Sequence, residues 1–144
     1  MLATTQSSEH EPRRFRLLVA EDDRAFRELL VANLLADGHE VVAVANAVDL
    51  MDALAVSLHA TGSGRFDLVL SDVRMPGATG LQVFGGLTGL TQRPPVVFIT
   101  AFGDEEVHRK ARQMGALAVL DKPIDMDELR DYVKGVLAKA QKGA

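Results

Sequence analysis

Short apolar runs alternate along the chain with longer stretches in which apolar residues recur at helical spacing. FRLLVA (15–20) comes first. Phe26, Leu29, Leu30, Leu34 and Leu35 then mark a helix from about Arg24 to Asp37, with Gly38 as its stop. EVVAVAN (40–46) predicts a second strand. Asn46 is placed to cap a helix reaching about His59, whose apolar face is Leu50, Leu54 and Val56. FDLVLS (66–71), PVVFIT (95–100) and ALAVLD (116–121) predict three more strands. A short helix, about Thr79 to Leu87, is weakened at its end by Gly85, Gly86 and Gly89. A polar helix lies near Asp104 to Met114. The last helix runs from about Met126 to Ala140, with Met126, Leu129, Val133, Val136 and Leu137 turned inward. Thr79 with Gln82, and Asp125 with Glu128, have capping-box spacing. The pattern is five βα units, an α/β chain. Strands this continuously apolar are expected where helices cover both faces of a parallel sheet. Right-handed crossovers divide those helices between the faces.

Composition narrows the function classes. A chain of 144 residues with 47% hydrophobic and 25% charged content fits one globular domain with a proper core. Acids outnumber bases 20 to 16, for a net charge of -4, which weighs against direct nucleic-acid binding. There is no cysteine, so any metal must be held by oxygen or imidazole. His10, His39, His59 and His108 show no ligand spacing and read as surface residues. The first 13 residues, MLATTQSSEHEPR, are polar and lack the apolar core of a secretory signal, which predicts a disordered tail. No apolar run reaches the ~18 residues that span a bilayer. A cytoplasmic protein without membrane contact is the expectation.

In an open parallel sheet, ligands bind beyond the carboxyl ends of the strands. The first strand ends in Glu21, Asp22 and Asp23, the third in Asp72, the fourth in Thr100 and the fifth in Lys122–Pro123. The second ends in Asn46, which capping explains. Side by side, these strands would gather two or three carboxylates, a hydroxyl and an ammonium. Carboxylates without thiols suit a hard cation such as Mg²⁺. One Lys–Asp ion pair with solvated acids is the plainer alternative. The loop EDDR after the first strand repels phosphate, which argues against a flavin site, and neither GxGxxG nor GxxxxGK[ST] occurs.

With LLVAEDDRAFRELL, LVLSDVRMPGATG, VVFITAFGD and AVLDKP in this order, the chain resembles the receiver domain of two-component response regulators from about Arg14 to Ala140. That resemblance implies a flavodoxin-like three-layer sandwich of strand order 2-1-3-4-5. It leaves residues 1–13 and 141–144 as short tails. It also implies a phosphorylation-activated signalling switch rather than a turnover enzyme. Asp72 corresponds to the phospho-acceptor. Glu21, Asp22, Asp72 and the backbone carbonyl of Arg74 correspond to the Mg²⁺ ligands. The register is set by Arg27, five residues after Asp22, and Asp23 falls one place outside the acidic pair. Thr100 and Lys122 correspond to the hydroxyl and ammonium that grip the phosphoryl group, and the Lys122–Pro123 bond is often cis in the family.

Two positions depart from the family pattern. Val119 stands where many relatives carry a switching aromatic, and Phe102 is a candidate substitute. Glu21 stands where Asp is commoner. Arg74 and Phe102 flank the site where they could crowd an attacking water, which implies a phosphoryl lifetime longer than minutes. Implied partners are a histidine kinase or histidine phosphotransfer protein, docking near Arg24, Phe26 and Arg27, and a downstream protein target or output domain. Helix 104–114 and the last helix form a candidate face for a phosphorylation-dependent homodimer. After the last helix, only residues ending KAQKGA remain, so a stand-alone receiver, or one cut from a longer regulator, is expected. A non-phosphorylated pseudo-receiver, and a phosphatase or flavin protein on a similar sheet, are the rival classes.

Overall fold

The structure, a computed structural model, describes residues 14–60, 64–87, 93–101, 103 and 105–143. The predicted tail 1–13, with His10, and the readings on Gly89, Phe102 and Asp104 lie outside these residues. Five strands form one sheet: β1 (Arg16–Ala20), β2 (Glu40–Val44), β3 (Leu68–Asp72), β4 (Val96–Thr100) and β5 (Ala118–Asp121). All pairings are parallel and the order is β2-β1-β3-β4-β5. Among the described residues, five helices connect or follow them: α1 (Arg24–Ala36), α2 (Ala47–His59), α3 (Gly80–Gly85), α4 (Glu105–Gln113) and α5 (Met126–Gly143). The last helix thus continues through Gly143, beyond the Ala140 expected from its apolar pattern.

Neighbouring strand residues point to opposite faces, and the core divides accordingly. Leu17, Val19, Leu70 and Ile99 meet Leu30 and Leu34 of α1 and Leu129 and Val133 of α5. Leu18, Val69 and Phe98 meet Leu50 and Leu54 of α2, Phe84 of α3 and Ala111 of α4. Phe84 and Phe98 pack edge to face, with ring centroids 5.7 Å apart. Each fully buried Leu or Phe contributes about 1.5–3 kcal/mol.

Caps set the helix starts. Asn46 accepts from the amide of Asp49 at 2.8 Å, and Asp125 accepts from those of Asp127 and Glu128 at 2.8 and 3.1 Å. Thr79 and Gln82 form the reciprocal capping box at 3.0 and 2.9 Å. Gly38, at φ +89°, ends α1, because only glycine adopts that conformation without strain. Beside it Asp37 clasps α5. It accepts from Arg130 Nη2 at 2.6 Å and Nε at 3.0 Å, which holds its carboxyl below the usual range.

Three sequence expectations need correction. Val56 is 71% exposed, because two residues past buried Leu54 lies the far side of a helix; Ala47 and Ser57 complete the inner face instead. Leu29 and Leu35 are also exposed, each one residue, about 100° of helix, round from the buried Leu30 and Leu34. His39 is not a surface residue. It is buried, its ring centroid lies 6.1 Å from that of Phe15, and burial pushes its pKa down. Among the described residues, no helix is long and apolar enough to cross a membrane.

Candidate functional site

β1 and β3 are adjacent, so their carboxyl ends bring the two acidic clusters together. Asp72 proves to be the last residue of β3, in register with Ile99, rather than the first of a loop. Ladder pairing therefore fixes its backbone. Behind it the chain turns sharply. Arg74–Met75 pairs with Ala78–Thr79 in a two-residue antiparallel ladder around Pro76 and Gly77, and Gly80 N–H bonds to the carbonyl of Val73 at 2.7 Å. This turn, which apolar patterning does not announce, explains MPG in physical terms: Gly77 takes φ +99°.

Glu21, Asp22 and Asp72 each offer a carboxylate oxygen within 4.8 Å of one another. Glu21 is buried at 1% exposure and Asp72 at 8%, while Asp22 is exposed. Asp23, one place outside the pair, serves the backbone. Its side chain caps α1 by accepting from the amides of Ala25 and Phe26. Arg27 reaches back from α1 to the carbonyl of Glu21 at 2.8 Å and that of Asp22 at 3.4 Å. The acidic loop is thus tied to its helix from both sides.

Lys122 comes in from the end of β5. Its ammonium donates to Glu21 Oε1 at 2.7 Å and to Asp72 Oδ2 at 3.4 Å, and stands 4.5 Å from the centroid of the Phe26 ring. The second oxygen of Glu21 accepts from the amide of Asp23 at 3.1 Å; that of Asp72 accepts from the amide of Arg74 at 3.2 Å. Burial pushes the Glu21 carboxyl up to about 7 despite the Lys122 hydrogen bond, and neighbouring Asp72 adds to the rise. For Lys122, burial works to lower the pKa, but Glu21 and Asp72 outweigh it and the balance is upward.

Thr100, fully buried, ends β4 opposite Asp121, one step beyond the partner of Asp72. Its carbonyl accepts from the amide of Lys122 at 2.8 Å, which locks the two strand ends together. The Lys122–Pro123 bond is cis.

The lysine therefore sits closer to Glu21 than to Asp72, so neither sequence alternative describes the arrangement alone. Two of the three carboxylates share one ammonium, and the most buried of them resists ionisation. That donor set, all hard oxygen and short of positive charge, fits a divalent cation.

A further pairing, like that of Asp37 with Arg130, has no counterpart in the sequence reading. His108 Nε2 of α4 pairs with Asp121 at 3.1 Å, and Gly103 lies so close that a Cβ there would run into the Asp121 carboxylate. His108 and Asp121 are 13 residues apart on different elements, and no local pattern marks them. Val119 faces Phe98 across the ladder and packs, half-buried, against the cluster that contains Phe84 and Phe98.

Comparison with known proteins agrees with this geometry. Residues 17–134 match the model of the response regulator receiver domain. Response regulator protein FleR of Pseudomonas aeruginosa is 39% identical over 118 residues, 82% of this chain but 24% of its own length. Sporulation initiation phosphotransferase F of Bacillus subtilis is 29% identical over 122 residues, 85% of this chain and 93% of that protein. Among solved structures, the chemotaxis response regulator CheY4 of Vibrio cholerae superposes with a TM-score of 0.72 at 26% identity, covering 86% of this chain and 99% of that one. The fold of a CheY-like receiver domain protein from Methanospirillum hungatei is matched at TM-score 0.79 and 23% identity, over 92% of this chain and 100% of that one. The chain belongs to the response regulator receiver domain family, the phospho-acceptor signalling switches of two-component systems.

Proposed function

We propose that Asp72 is the phospho-acceptor of this receiver and that Glu21, Asp22, Asp72 and the carbonyl of Arg74 hold Mg²⁺. The observation that carries the reading is Lys122, whose ammonium bridges Glu21 and Asp72 at 2.7 and 3.4 Å where β1, β3 and β5 end. An oxygen of Asp72 attacks the phosphorus of a phosphohistidine on a histidine kinase or phosphotransfer protein. The new O–P bond forms as the P–N bond breaks, and the imidazole leaves with its electron pair and takes up a proton. The product is an acyl phosphate.

Bound Mg²⁺ supplies positive charge that a carboxylate nucleophile needs before it can approach an anionic phosphoryl group. Lys122 supplies a second cation from the carboxyl end of β5 and follows the charge onto the phosphoryl oxygens. Thr100 offers its hydroxyl from the adjacent strand. The ladder pairing of Asp72 with Ile99 holds the nucleophile in place, so little reorganisation accompanies attack. The protein then acts as a cytoplasmic switch on a downstream protein target or output domain, not as a turnover enzyme.

Intact-mass spectrometry after incubation with Mg²⁺ and acetyl phosphate tests this. The wild type should gain one phosphoryl group and Asp72→Ala none. Equal labelling of both would place the acceptor elsewhere. Failure of both, with no Mg²⁺ binding in a calorimetric titration, would leave a pseudo-receiver.

A further inference from the structure

Lys122 has two roles that compete. Glu21 is its nearest partner at 2.7 Å, yet Glu21 is also a candidate cation ligand. A divalent cation that draws on the Glu21 carboxylate weakens its hold on the ammonium. Asp72, at 3.4 Å, holds it more loosely. Beside Asp72 stands the ring of Phe26, 4.5 Å from Nζ to its centroid, within the range in which an ammonium is drawn to a π face.

The pose of that ring is fixed independently of the lysine. Phe26 sits in the first turn of α1, where its amide is bonded to the Asp23 cap and the next residue, Arg27, is anchored to the carbonyls of Glu21 and Asp22. Its side chain is half-buried at the margin of the cluster containing Leu30 and Leu129. The Lys122 side chain keeps 20% exposure, so the ammonium has a solvent route to leave by if nothing faces it.

We propose that Phe26 is a positioning residue: its ring holds the Lys122 ammonium beside Asp72 when Glu21 is engaged elsewhere. The inference rests on the reading of Asp72 as acceptor. It gives Phe26 a duty inside the site, distinct from contact with a partner kinase.

The full chain as Phe26→Leu and Phe26→Tyr separates these duties. Leucine keeps the apolar bulk and removes the π face; tyrosine keeps both. The first readout is the NMR shift of the Lys122 ε-methylene protons before and after Mg²⁺ is added. Ring current should hold them upfield in wild type and Phe26→Tyr in both states, and a return to the free-lysine position in wild type once Mg²⁺ is added overturns the proposal. The second is the rate of phosphorylation by acetyl phosphate with Mg²⁺, a small donor that needs no docking surface. Phe26→Leu should slow it about threefold to tenfold, with Phe26→Tyr within about twofold of wild type. A wild-type rate in Phe26→Leu overturns the proposal, and if kinase-driven transfer alone falls, the residue belongs to partner contact. Should the wild type take no phosphoryl group at all, the acceptor reading fails instead; the proton shift then decides whether the ring holds the lysine.

Discussion

Two alanine substitutions should move stability in opposite directions. Gly80 opens α3 directly behind β3, the strand that ends in Asp72. A Cβ there would stand 2.5 Å from the backbone carbonyl oxygen of Asp72, 2.9 Å from Ser71 Oγ and 3.2 Å from Phe98 Cε1. All three lie inside the ~3.5 Å of a comfortable nonbonded contact. The Asp72 carbonyl belongs to a central strand and the Phe98 ring is locked against Phe84, so neither can rotate away. Overpacking of this kind costs about 1–3 kcal/mol, and better helix propensity returns at most ~1 kcal/mol. With two immovable neighbours the upper half applies, for a net loss of about 2 kcal/mol. For a chain of this size that lowers Tm by roughly 4–8 °C. Gly135, on the exposed side of α5, has nothing within 4 Å of its virtual Cβ. Gly135→Ala should instead gain about 0.5–1 kcal/mol. Thermal and urea melts of the two variants beside wild type measure both signs. Because the Gly80 methyl pushes on the Asp72 carbonyl, Gly80→Ala should also slow phosphorylation by acetyl phosphate, while Gly135→Ala leaves it unchanged. A Gly80→Ala protein melting at or above the wild-type temperature would refute the close approach, and with it the claim that α3 braces Asp72.

Burial holds Glu21 near 7, above its unfolded value of 4.5, so its contribution to stability is full below 4.5 and lost as the pH rises through about 7. Glu21→Gln should flatten that loss in cation-free urea melts between pH 5 and 8 and add on the order of 2 kcal/mol at the alkaline end, after discounting solvent screening. It should also weaken Mg²⁺ binding, and a steeper pH slope in the variant would contradict the assignment. Asp37 behaves in the opposite sense: its carboxyl, depressed by Arg130 from 3.8, stabilises the fold above that value and ceases to do so as acid protonates it. Asp37→Asn should therefore melt lower than wild type at neutral pH, with the difference closing in acid; a constant difference across pH would count against the clasp. Phe84→Ala empties a fully buried site against Phe98 and should cost about 3–5 kcal/mol in urea titrations, a loss below 1 kcal/mol being incompatible with the packing described.

The strands, their parallel pairing and most helix caps are legible in the chain because they rest on local signals. Asn46, Thr79 and Asp125 sit at the caps their spacing implies. The residues that meet at the site are legible as a set, since each ends an apolar run. How they share hydrogen bonds is not. That Lys122 leans on Glu21 more than on Asp72 depends on strand adjacency and burial, which spacing does not encode. The same limit explains Val56 and His39. An apolar residue near an inward stripe, or a lone histidine after a helix, has a fate set by what packs beside it. Asp23 was separable from the acidic pair through Arg27, and its capping of α1 supplies the physical reason.

The Lys122 ammonium bonds to partners 101 and 50 positions away in the chain. No contiguous half of the sequence can assemble this constellation. A nascent or partly folded chain that has made β1 and β3 presents carboxylates without their counter-charge, and a fragment carrying β5 presents the amine alone. The full set of charges at these strand ends is therefore complete only once β5 has docked.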